Sequence, residues 1–210
     1  PGWGVNPGRG GSPAVGSLVT DLVTRANLAK SLSGTNTIVA LDWHQGEGDI
    51  AGYATRQLTQ IRKYRWALMS TMKYLRAQIG GNFPIVMGRM SNWTINTGDG
   101  VNYIPANTKL IDKIVRAMSR RLPYVGIADS LTPSALTDGS SVHFDAQGQR
   151  DFSGRYWTAY GTAKTNANFP TSPTWDDIDV MLAADGYTAG FTITNGGLDL
   201  SGDANSAWKT

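Results

Sequence analysis

Apolar residues recur along this chain in two alternating rhythms. Residues 17–30 place Leu18, Leu22, Val23 and Ala26 on one helical face. Residues 37–43 form an apolar, β-branched run of strand length with little polar alternation, which predicts a strand buried on both faces. From about Tyr53 to Ile79 the period returns to 3.6, with Leu58, Ile61, Leu68, Met72, Leu75 and Ile79 in phase. Gly80-Gly81 ends that helix. Residues 83–88 predict a second strand, and 91–103 a polar loop. Residues 105–121 predict a helix with Leu110, Ile111, Ile114, Val115 and Met118 inward. Residues 124–128 predict a third strand, and a last helix runs from about Ala146 to Tyr160. Strand and helix alternate, so the expected class is α/β: a three-layer α/β/α arrangement with a mainly parallel sheet.

The rhythm breaks after Lys164. Residues 166–173 are linker-like, with two prolines among small polar residues. Residues 187–200 read as a strand, an Asn-Gly turn and a second strand, a β-hairpin signal. The expected division is a main domain over 1–163, and a linker plus the start of a small β-rich module over 164–210. Residues 1–16 are a Gly- and Pro-rich loop, and the chain begins at Pro1. It reads as a processed or incomplete piece of something longer.

Charge sharpens this division. The net charge is +3, yet residues 165–210 carry six aspartates against Lys209 alone. The preceding part is therefore basic, with clusters at Arg62-Lys63-Tyr64-Arg65 and around Arg116, Arg120 and Arg121. A solvated helix face accounts for such clusters as well as attraction to an anionic polymer does. No nucleic-acid-binding motif accompanies them. No apolar run has the length of a membrane span. The absence of cysteine removes disulfides and thiolate zinc sites, and two histidines are too few for a multi-histidine metal centre. No cofactor is called for.

The two histidines lie in two short segments about a hundred residues apart. One is Trp43-His44-Gln45-Gly46-Glu47-Gly48-Asp49, starting at the end of the first predicted strand. The other is Asp138-Gly139-Ser140-Ser141-Val142-His143-Phe144, in the loop after the third. Ligand sites in open α/β sheets lie beyond the carboxyl ends of strands, so both segments fall on the functional rim. His143 is a candidate base, because a neutral imidazole accepts a proton near pH 7; a loop histidine bonded to backbone is the plainer alternative. Asp138 could orient that imidazole or simply make the turn that Asp-Gly favours. Asp145 reads as the N-cap of the last helix. Glu47 and Asp49 leave open a glycosidase pair or oxygen ligands for a cation. Trp43 and Trp93 could stack on sugar, or fill core and rim. Ser130, in Asp129-Ser130-Leu131, sits too close to His143 in sequence to be the expected nucleophile, and no Gly-x-Ser-x-Gly elbow is present.

These segments resemble two blocks of the SGNH (GDSL-like) hydrolases, in the branch of sialate O-acetylesterases and acetylxylan esterases. In that branch a strand ends in Trp-Tyr/His-Gln-Gly-Glu-x-Asp, and Asp-Gly-x-His-Phe precedes the last helix. Gly10-Gly11-Ser12 ahead of the helix at 17–30 is similar to a further block, and the likeness spans about residues 4–161. It implies that His143 is the general base, Asp138 its acidic partner, and Gln45 with the backbone N–H of Gly10 or Gly11 the oxyanion hole. Glu47 is implied to brace the rim loop, and His44 to pack beside the strand. The family's aspartate stands three residues before the histidine, where this chain has Ser140; Asp138 is five before, across a longer loop. The family's first block, which supplies the nucleophilic serine, has no counterpart before Gly10.

The resemblance therefore implies a carbohydrate O-acetylesterase of Ser-His-Asp type whose serine comes from outside this chain, on a missing N-terminal segment or a companion chain. The isolated chain is then expected to be inactive. An acetylated glycan is the implied substrate, and an extracellular or virion-associated setting the implied location. A non-catalytic glycan-binding or structural module of a larger assembly, such as a phage tail fibre or spike, is the alternative. An assembly of identical copies fits either.

Overall fold

The computed structural model describes residues 5–6, 14–50, 57–96, 98, 104–129, 142–167, 192–194 and 197–199. A short antiparallel pair, β1 (Val5–Asn6) with β2 (Ala14–Val15), precedes α1 (Ser17–Ser31). Then come β3 (Leu41–His44), the short α2 (Glu47–Ile50), α3 (Gln57–Ile79) and β4 (Ile85–Gly88). They are followed by α4 (Asn92–Asn96), α5 (Pro105–Arg121), β5 (Val125–Ala128) and α6 (Ala146–Thr165). Farther along, β6 (Thr192–Thr194) and β7 (Gly197–Asp199) pair antiparallel, at the hairpin expected from the Asn-Gly signal.

The three central strands form one parallel sheet in the order β3-β4-β5, with Leu41, Ile85 and Val125 in register. Successive side chains point to opposite faces, and the two faces differ. Leu41, Trp43, Ile85, Met87, Val125 and Ile127 join the larger core with Leu68, Met72, Leu75, Ile111, Ile114 and Met118 of α3 and α5. Val86 and Ala128 meet Phe152 and Ala159 of α6 on the other face. Gly126 permits this approach, because a Cβ there would overlap the Ala159 carbonyl oxygen. The α/β class read from the alternation is the architecture seen.

Buried polar groups tie the layers together. Arg76 of α3 donates to the carbonyls of Phe83 (3.0 Å) and Tyr124 (3.2 Å), fixing where β4 and β5 begin. Asn166, which ends α6, donates to Ser119 O at 2.9 Å and Val125 O at 3.1 Å. Arg89, just past β4, grips Asp112 of α5 through Nε (2.7 Å) and Nη2 (2.8 Å). Arg65 and Arg121, members of the two basic clusters, are buried, while Arg116 and Arg120 are exposed, so the clusters are only in part a solvated face.

One expectation is corrected. The first strand is not buried on both faces: Trp43 is buried, while Asp42 and His44 are exposed. The cause is position. Among the described residues β3 pairs only with β4, and the core on the far side of the sheet contains α6 side chains over β4 and β5 but none from β3.

Candidate active site

The site is built at the carboxyl end of β3. Strand alternation sends Trp43 into the core and His44 to the α6 side. The chain then turns at Gly46, whose φ of +149° is disfavoured for other residues. That turn opens α2 with Glu47 and Asp49, and Tyr64 of α3 pins it by donating its hydroxyl to Gln45 O at 2.9 Å. Burial, then the charges of Asp49 and Glu47, raise the Tyr64 hydroxyl pKa well above its ordinary value, so it stays a donor.

His143 reaches the same place from the other end of the sheet. Asp145 caps α6 by accepting from Gly148 N at 2.7 Å, which fixes the chain immediately after the histidine. Phe144 packs against His44 (centroids 5.7 Å, 87°) and Phe152 (4.8 Å, 52°). His143 is exposed, and it lines one cavity of about 700 Å³ with Asp42, His44, Glu47, Phe152 and Tyr156. The cavity continues past Val39 and Trp157, both strongly exposed, beside the outer edge of β3.

Glu47 is the electrostatic centre of this cavity. Its Oε1 lies 3.0 Å from His44 Nε2, and the two side chains are 19% and 29% exposed. Burial by itself would raise the Glu47 carboxyl. The hydrogen bond from His44, the charge of His44, a backbone hydrogen bond and the charge of His143 together hold it below its ordinary value. Asp42, which also lines the cavity, is pushed up by desolvation. Tyr156 donates to Trp43 O at 3.1 Å, and its hydroxyl is 3.5 Å from His44 Nδ1. Burial, then the charge of Asp42, raises the Tyr156 hydroxyl strongly.

Of the residues singled out from sequence, His143 and Glu47 share the cavity. Gln45 is half-buried beside it. Its amide donates to Asp49, and Gln45 is not among the lining residues. Asp49 is raised by burial, against the hydrogen bond from Gln45 and with the charge of Glu47. Trp43 is buried in the core on the opposite face, which leaves no ring surface for a sugar. Trp93 lies in α4. Gly10, Gly11, Asp138 and Ser130 lie outside the described residues. Among the described residues there is no cluster of three metal-ligating side chains, and no helix long and apolar enough to cross a membrane.

Sequence reading missed His44, Asp42, Phe152 and Tyr156 as parts of the site. Asp42 and His44 were legible as the alternate face of the strand. Phe152 and Tyr156, four apart, lie on one side of the predicted last helix.

A parallel sheet with a histidine and a carboxylate lining one cavity past a strand end defines an open-sheet α/β protein with a rim site. The chain matches, over residues 8–162, the family model for carbohydrate esterases described as sialic acid-specific acetylesterases. It belongs to that carbohydrate esterase family. No curated protein matches it.

Proposed function

We propose that this domain removes acetyl groups from the hydroxyls of a glycan, with His143 as the base and a serine supplied by a segment outside these 210 residues. The observation that carries the reading is the shared cavity of His143 and Glu47 at the β3 end, in a chain of the carbohydrate esterase family. The cavity lies open along a strand edge with no described neighbour, which leaves room for such a segment beside His143.

The chemistry is that of acyl transfer through a covalent intermediate. His143 takes the serine proton as the serine oxygen bonds to the acetyl carbon, and the oxyanion is held by N–H donors. Collapse breaks the ester bond, and the imidazolium returns its proton to the departing sugar oxygen. Water, activated by the same histidine, then releases acetate and restores the serine. An acidic partner stabilises the imidazolium between these steps. Glu47 is a carboxylate that lines the cavity with His143, so we assign this role to it in place of, or together with, Asp138. Gln45 has a second amide N–H beyond the one given to Asp49. That N–H, with the Gly10 or Gly11 backbone, is the proposed oxyanion donor; losing one such donor in a protease costs about 3–4 kcal/mol.

The test is acetate release from an aryl acetate and from acetylated oligosaccharides. It compares the 210-residue chain with a longer protein that includes the residues encoded upstream. The longer protein should turn over and lose activity on His143→Ala, and the short chain should be inactive. Glycan binding without acetate release by the longer protein would replace the enzyme reading with a binding module. Turnover by the short chain, abolished by Ser130→Ala, would relocate the nucleophile.

A further inference from the structure

We infer that His44 is a positioning residue: it holds Glu47 in place in the cavity that His143, the chain's other histidine, also lines, and so sets how much of that carboxylate His143 receives. The inference rests on the reading of His143 as the base, and adds a residue with no part in that reading.

The His44 ring is held by several neighbours, although part of it faces the cavity. Its Nε2 is 3.0 Å from Glu47 Oε1. A carboxylate only accepts, so Nε2 must carry the proton there. Phe152 of α6 meets the ring edge-on at 5.2 Å and 81°, and Phe144 does so at 5.7 Å and 87°. Tyr156 of α6 stands beside Nδ1. On β4, Gly88 leaves room for the ring, since a Cβ there would be 2.6 Å from Nδ1. Two aromatic rings, a tyrosine hydroxyl and a glycine thus hold one imidazole against one carboxylate.

This lock also reaches His143. Phe144, one wall of the box, is the next residue in the chain, so the packing that orients His44 also places the backbone of the proposed base. Glu47 lines one cavity with both histidines. The charged and titratable groups facing His44 are Glu47 of α2, Asp42 of β3 and Tyr156 of α6, with His143 across the cavity. A carboxylate has about four acceptor positions on two oxygens. His44 occupies part of one oxygen, and what remains is available to the imidazolium of His143. Occupation by His44 therefore fixes the carboxylate in place, and limits how strongly it favours protonated His143.

The two histidines make an NMR pH titration of their ring protons decisive. His44→Phe keeps a ring in the aromatic box and removes the donor; His44→Gln keeps an N–H donor without a titrating group. In the 210-residue chain, His44→Phe should raise the His143 midpoint by about half a unit, roughly threefold in its proton affinity. His44→Gln should restore most of the wild-type value, and Glu47→Gln should lower the midpoints of both histidines. In the active longer protein, the acid limb of kcat/KM should move up by the same amount in His44→Phe. A His143 midpoint that is the same in wild type, His44→Phe and His44→Gln would overturn the inference, as would a His44 midpoint indifferent to Glu47→Gln. The NMR arm needs no catalysis, so its failure is distinct from a failure to release acetate.

Discussion

Arg89 offers the sharpest test of how the rim is held. It leaves β4 at the level of the site and makes a two-pronged bond to Asp112 of α5, at 2.7 and 2.8 Å. The Asp112 side chain is 5% exposed and that of Arg89 19%, so this pair is desolvated. Hydrogen bonds and the charge of Asp112 raise the guanidinium pKa against burial, so it stays charged throughout. A third bond, to Asp129 at 3.0 Å, goes to a side chain 74% exposed and contributes little. Arg89→Met keeps the aliphatic stem but leaves Asp112 charged and buried without its partner, which costs about 3–5 kcal/mol. For a domain of this size each kcal/mol lowers Tm by about 2–4 °C, so the fall should be about 6–20 °C. Asp129→Asn should cost less than about 1 kcal/mol. The double variant Arg89→Met, Asp112→Leu removes both charges and should recover most of the loss, since an apolar pair of similar size replaces a buried ion pair at little net cost. Urea unfolding followed by circular dichroism measures all four proteins. A loss below about 1 kcal/mol in Arg89→Met, or a double variant no better than the single, would show that the pair does not hold α5 to the sheet.

Two further outcomes follow from local geometry. Gly126→Ala places a methyl on the Ala159 carbonyl and should destabilise by about 1–3 kcal/mol. Gly154→Ala, on the same helix with open space around its Cβ, should stabilise by up to about 1 kcal/mol; thermal melts with the same sign for both would refute the close approach of α6 to β5. Glu47 has a folded pKa below its ordinary value of 4.5, so its ionisation favours the folded state above that pH and loses this effect as pH falls through the lower folded value. The stability gap between wild type and Glu47→Gln should therefore shrink on acidification below about pH 4.5, and a gap constant from pH 6 to pH 3 would contradict the assigned contacts.

What could be read from the sequence, and what could not, follows the range of the forces involved. The helix over 105–121 is legible residue for residue because its signals are local: Pro105 at the first turn, and apolar residues three and four apart that form one buried stripe. Asp145 is legible as a cap for the same reason. The first strand is harder. Its β-branched run predicts a start at residue 37, yet the ladder begins at Leu41. Leu41 N donates to Pro84 O at 2.9 Å, and Pro84 has no N–H to return, so regular pairing begins only at Leu41 with Ile85. The identity of the neighbouring strand decides that boundary, and no local pattern contains it.

The same distinction separates the parts of the site. His143 and Glu47 are visible as rim residues because the rule placing sites past strand ends needs only the order of elements. The role of His44 is not visible in that way. It depends on Phe144, Phe152 and Tyr156, about a hundred residues later, closing around one ring at a glycine on the neighbouring strand β4. Motif reading therefore finds the groups that carry charge. The groups that decide where the charge is held come from packing between distant segments, and for that reason a substitution such as Gly88→Ala, which touches no ionisable atom of its own, belongs with the chemistry of Glu47 and not with the strand it interrupts.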